Sequence, residues 1–134
     1  MMLDLGAVKR FNRLTVGAAL RNLGPGMTFH DESAGLPVTA SLGATYYLPT
    51  LPLVPAAAVE LPLDDLPVVS LGAEYTAWSL LALRAGLRTD RDAGWPSWLR
   101  FGLGVATRGV AVDYAVIPGQ EIGATHMISL SYRR

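Results

Sequence analysis

Large apolar residues alternate with small or polar ones along almost the whole chain. The alternation is clearest in LTVGAALRN (14–22), ASLGATYYL (40–48), VSLGAEYTA (69–77), LALRAGLRT (81–89), RFGLGVATR (100–108) and HMISLSYRR (126–134). All but the last carry glycine inside the alternating run. A period of two is a strand signature, with one oily face and one small or polar face. Roughly nine strands follow from it, near 1–8, 13–22, 36–48, 53–62, 67–77, 79–89, 98–107, 109–118 and 125–133. The fourth is expected to start late, near Ala56, because Pro52 and Pro55 cannot donate ladder hydrogen bonds.

The connections alternate in length. Short links are expected at Lys9–Asn12, Pro49–Pro52, Trp78–Ser79 and Arg108–Gly109, and longer ones at Leu23–Gly35, Leu63–Leu66, Asp90–Ser97 and Gly119–Ala124. In an up-and-down meander the short links share one end of the sheet with the C-terminus. Transmembrane barrels have this form, with short periplasmic turns and an apolar/small dyad repeat. The pattern therefore predicts an all-β, antiparallel, up-and-down transmembrane barrel segment, its C-terminus toward the periplasm.

Parity assigns the faces. Leu14, Val16, Leu42, Tyr46, Leu71, Tyr75, Leu83, Leu87, Phe101, Leu103, Val112, Tyr114, Ile128 and Leu130 point toward lipid. Thr15, Gly17, Ser41, Gly43, Ser70, Gly72, Gly86, Gly102, Gly104, Ser129 and Ser131 point inward. Tyr46, Tyr47, Tyr75, Trp78 and Tyr132 fall toward one rim, and Trp95 and Trp98 toward the other, as aromatic girdles would. The inward residues fill little volume, so eight or nine strands are expected to form an open sheet with unpaired first and last strands.

Composition supports the membrane setting. The 134 residues are 51% hydrophobic and only 16% charged, against about 25% charge in an ordinary soluble domain. Mean hydropathy is +0.32. No run approaches the roughly 18 consecutive apolar residues of a spanning helix, which leaves a barrel as the membrane option. Eleven basic and eleven acidic residues cancel and form no basic stripe, so nucleic acid is not expected as a partner. With no cysteine there are no disulfides and no thiolate metal sites. The start MMLDLGAV lacks the features of a secretory signal, so the chain reads as a piece of something longer or as one whose start has been misplaced.

Candidate chemistry is sparse. Glu74, Arg84, Arg88, Arg100 and Asp113 all fall inward, and Glu74 meets Arg84 directly if the turn at Trp78–Ser79 has an odd residue count. They are expected to neutralise one another inside the barrel, or to line a polar track for a permeant. His126, Ser129 and Asp113 invite comparison with a hydrolase, but parity puts His126 and Ser129 on opposite faces. His30 beside Asp31 and Glu32 is a lone histidine in a loop, and Asp64–Asp65 lies in a proline-flanked turn. The RTDRD run (88–92) reads as a loop. The glycines lie along strands and cradle no phosphate. No catalysis, cofactor or metal is expected.

LTVGAALRNLGPGMTF, LPVTASLGATYYL, LPLDDLPVVSLGAEY, LLALRAGLRT and the terminal VDYAVIPGQEIGATHMISLSYRR together resemble the PorV/PorQ-like outer-membrane proteins, relatives of the FadL-type fatty acid transporters. The turn Asn22–Pro25 and the segment from Asp113–Tyr114 to Ser131 are the most specific. Family members are longer, so the resemblance implies that residues 1–134 are one C-terminal barrel segment. It further implies a bacterial outer-membrane location and a role in transport or secretion. The partners would be outer-membrane lipid, secretion-system components or a hydrophobic permeant. A barrel-wall lipid-modifying hydrolase and a soluble lipid-binding barrel are the alternatives.

Overall fold

The computed structural model describes residues 2–24, 27–29, 32–34, 38–89, 98–119 and 123–132. Its strands are β1 (Leu3–Phe11), β2 (Leu14–Leu23), β3 (Met27–Phe29), β4 (Glu32–Ala34), β5 (Thr39–Tyr46), β6 (Leu53–Pro62), β7 (Val68–Ala77), β8 (Leu81–Arg88), β9 (Leu99–Thr107), β10 (Val110–Ile117) and β11 (Thr125–Tyr132). Nine of them form one antiparallel sheet in the order β1-β2-β5-β6-β7-β8-β9-β10-β11. The fold is thus the expected all-β meander. The sheet is open: among the described residues β1 pairs only with β2, and β11 only with β10.

Several boundaries differ from expectation. β1 runs on to Phe11, which shortens the first link to Asn12–Arg13, with Asn12 at φ 47°. The long connection after β2 contains a small hairpin of its own, β3 with β4, where only a loop was expected. β5 is shorter than 36–48, although Tyr47 N–H still donates to the Arg13 carbonyl at 2.8 Å and Leu48 N–H to that of Leu53 at 3.2 Å. β8 starts at Leu81, because Trp78 and Ser79 both take left-handed backbone angles (φ 50° and 55°). Such a pair suits the right-handed twist of a tight hairpin.

β6 starts at Leu53, not near Ala56, and takes in Pro55 opposite Ala73. Backbone groups alternate sides along a strand. The Leu53 carbonyl accepts from Leu48, just past the end of β5, so Pro55 also faces the β5 side, and the β5–β6 ladder ends at the neighbouring pair Thr45–Ala56. The missing proline donor therefore falls where the ladder has already stopped, and the β7 side stays intact.

Direct pairing keeps each face continuous from strand to strand. Gly17 meets Gly43, Gly43 meets Ala58, Ser70 meets Arg88, Gly86 meets Arg100 and Asp113 meets Ser129. The opposite face carries Leu42, Leu71, Leu83, Leu103, Val112, Ile128 and Leu130, all exposed. No hydrophobic side chain is buried among the described residues. The accessible surface is 10281 Å², against about 6,800 Å² expected for a compact monomer of this mass. One uncovered layer accounts for the excess.

Strands of 8 to 10 residues at about 3.3 Å per residue are about 26–33 Å long. Tilted by about 40°, they project to about 20–25 Å, close to the apolar band of an outer-membrane barrel. At the short-turn end, Tyr47 is 55%, Trp78 87% and Tyr132 71% exposed. Trp98 lies at the other end, where its carbonyl accepts from Arg88 N–H at 2.8 Å. Trp95 lies outside the described residues, as do His30 and Asp31.

Candidate functional site

The small-residue face holds the candidate site. Two adjoining hollows open on it, of about 640 Å³ and 470 Å³. Gly17, Gly43, Ala58, Glu60 and Ser70 line the larger from the small-residue face, and Leu42 and Leu71 of the other face also border it. Glu74, Arg84, Arg100 and Gly102 line the smaller. The sheet is therefore concave toward its small residues and convex toward its large ones.

All five charged residues singled out by parity share this face. Glu74 and Arg84 are direct cross-strand partners, because three residues, Trp78–Leu80, separate the pair Ala77–Leu81. Arg84 Nε donates to Glu74 Oε2 at 2.6 Å, and Arg84 Nη1 donates to Asp113 Oδ1. Asp113 stands on β10, so the arginine spans β9 to reach it. It can do so because β9 presents only glycine beneath it. A Cβ added at Gly102 would lie 3.3 Å from Arg84 Cβ, and one at Gly104 would lie 2.5 Å from Asp113 Oδ1. Gly104 is the single buried position among the described residues.

Arg88 belongs to a second network that sequence reasoning missed. Its two terminal nitrogens donate to the two carboxylate oxygens of Glu60, each at 3.0 Å. This forked pair runs diagonally over β7, with Arg88 opposite Ser70 and Glu60 opposite Val68. From the other side, Arg21 Nη2 approaches Glu60 Oε2 at 3.6 Å and donates to Ser41 Oγ at 2.9 Å. Parity carried from Ala56 along β6 puts Glu60 inward, and odd parity does the same for Arg21 in β2; those were the available signals. Arg100 donates to the Leu99 carbonyl at 3.1 Å.

The side chains of these ion pairs are roughly one-quarter to two-fifths exposed, so each pair contributes modestly to stability. A double-mutant cycle on Glu74→Gln and Arg84→Gln is expected to show coupling of a few tenths to about 1 kcal/mol. Zero coupling would mean that the two side chains act as separately solvated groups.

The remaining candidates do not assemble. Ser129 lies opposite Asp113 on the small-residue face, and His126 lies opposite Val116 on the other. On that apolar face, His126 Nδ1 lies 2.6 Å from Tyr114 Oη, and the rings stack with centroids 6.0 Å apart. The pairing is diagonal across β10 and β11, and it satisfies two polar groups on an otherwise oily surface. Asp65 accepts from the Leu66 N–H within its turn at 2.7 Å. Among the described residues no cluster of histidine and carboxylate has the makings of a metal centre. What the face offers is two hollows flanked by internally paired charges.

Compared with family models, curated proteins and solved structures, the chain matches none of them.

Proposed function

We propose that this chain forms part of the wall of an outer-membrane β-barrel of the PorV/FadL-like type, with a transport or secretion-associated role and no catalysis. The observation that carries the proposal is the sense of curvature. A soluble lipid-binding barrel turns its large apolar side chains into the cavity. Here both hollows open on the small-residue face, and the leucines stand on the convex side. Contiguous exposed apolar area of this extent marks a membrane or protein contact. The width of the apolar band and the aromatics at the short-turn rim suit a bilayer. In this setting the C-terminus points to the periplasm, and the paired charges line the passage.

A hydrolase would need an acid–base pair on one face, and His126 and Ser129 lie on opposite ones. The candidate permeants are hydrophobic, with the small residues leaving space and the ion pairs holding the wall. The full chain refolded from urea into detergent is expected to migrate differently in gels before and after boiling. A single boiling-insensitive band from a protein soluble without detergent would overturn the proposal.

A further inference from the structure

The chain's zero net charge hides a separation along the strand axis. The turns at the short-turn end are Asn12–Arg13, Tyr47–Pro52, Trp78–Leu80 and Arg108–Gly109; they hold two arginines and no carboxylate. The last residues of β1 add Lys9 and Arg10, and all four basic side chains are exposed. Among the described residues, the opposite end holds Asp4, Glu60, Asp64 and Asp65, together with Arg21, Arg88 and Arg100. The acidic groups nearest the basic rim, Glu74 and Asp113, are both engaged by Arg84.

We propose that the short-turn rim is a binding surface for the phosphate headgroups of anionic phospholipid. This rests on the membrane reading given above. Lys9 lies on the apolar face, with its ammonium 5.0 Å from the centre of the Phe11 ring. That contact supports a cation at the depth where ring and headgroup meet. Trp78 and Tyr132 mark the same level, and amphipathic rings favour it. Arg13 and Arg108 lie in the turns just beyond, within reach of phosphate oxygens, to which a guanidinium fork donates paired hydrogen bonds. A basic side chain near an anionic leaflet contributes about fivefold in affinity, and salt screens the effect.

The test is folding of the full chain from urea into vesicles of phosphatidylcholine alone and of equimolar phosphatidylcholine and phosphatidylglycerol. The wild type is expected to fold faster and at lower lipid concentration in the anionic vesicles. High salt should erase that advantage. The combined variant Lys9→Gln, Arg13→Gln, Arg108→Gln is expected to lose at least about tenfold of the anionic preference while still folding in phosphatidylcholine. Asp64→Asn with Asp65→Asn should keep the preference. Equal folding of the wild type in both lipids, or a preference insensitive to salt, overturns the proposal and leaves the barrel standing. So does a triple variant that keeps the preference. Should the triple variant not fold at all, the salt dependence of the wild type decides. No folding in either lipid overturns the barrel reading, and the headgroup surface with it.

Discussion

On the proposed membrane reading, Leu71→Arg is expected to destabilise the sheet in a bilayer by about 2–4 kcal/mol, whereas Ala58→Arg, at the same depth, escapes that penalty. The two positions are neighbours in the ladder: Leu71 pairs with Ala57, and Ser70 with Ala58. They differ only in the face they occupy. Leu71 is 52% exposed on the convex side, between Ala57 and Leu87. If that side meets lipid as proposed, an arginine there must enter hydrocarbon or bend toward the interface. Ala58 borders the larger hollow and shares its face with Glu60, so an arginine there meets space and a carboxylate. Ser70 and Gly102 are poorer controls, because Arg88 stands opposite one and Arg84 lies against the other. Urea titrations of the variants in vesicles measure the difference. Equal costs on the two faces would refute the assignment of lipid and lumen sides.

Gly104→Ala is expected to change sign with its background. In the wild type it should destabilise by about 1–2 kcal/mol, as overpacking does. The new methyl would sit 2.5 Å from Asp113 Oδ1 and 3.1 Å from Arg84 Nη1. The aspartate is short and held by the guanidinium, so it cannot move aside without loosening the pair. With Asp113→Ala the closest contact is gone, and the guanidinium, released from the aspartate, is free to give the few tenths of an ångström that its own contact requires. The same substitution should then stabilise by a few tenths to about 1 kcal/mol, the usual gain from replacing a strand glycine. Equilibrium unfolding of the four proteins in detergent would show it. A glycine that behaves identically in both backgrounds would mean that β9 is not the bed on which Arg84 lies.

Much of this was legible in the chain because alternation is a local property. Face, strand number and the short turns follow from a period of two that each segment states by itself. The Glu74–Arg84 pair was also within reach, since one turn of known length fixes the register of two adjacent strands. Contacts that skip a strand were not. Arg88 finds Glu60 over β7, and Arg84 finds Asp113 over β9. Each requires two registers at once and a small residue in the middle strand. Pro55 misled for a related reason: whether a missing donor matters depends on which neighbour it faces and where that ladder ends. The Tyr114–His126 contact escaped because it is diagonal, while parity arguments compare residues directly opposite.

The number of strands in the sheet has a consequence for how it can be completed. Direction reverses at every step of an antiparallel meander, so the first and ninth strands point the same way. Joining β11 to β1 would make a parallel seam, with slanted hydrogen bonds and slightly weaker pairing. Two copies in a ring, both oriented alike in the membrane, would meet at two such seams and cure neither. Any all-antiparallel ring containing these nine strands has an even total, and so includes an odd number of strands from elsewhere. A single added strand satisfies that condition, and a hairpin never does.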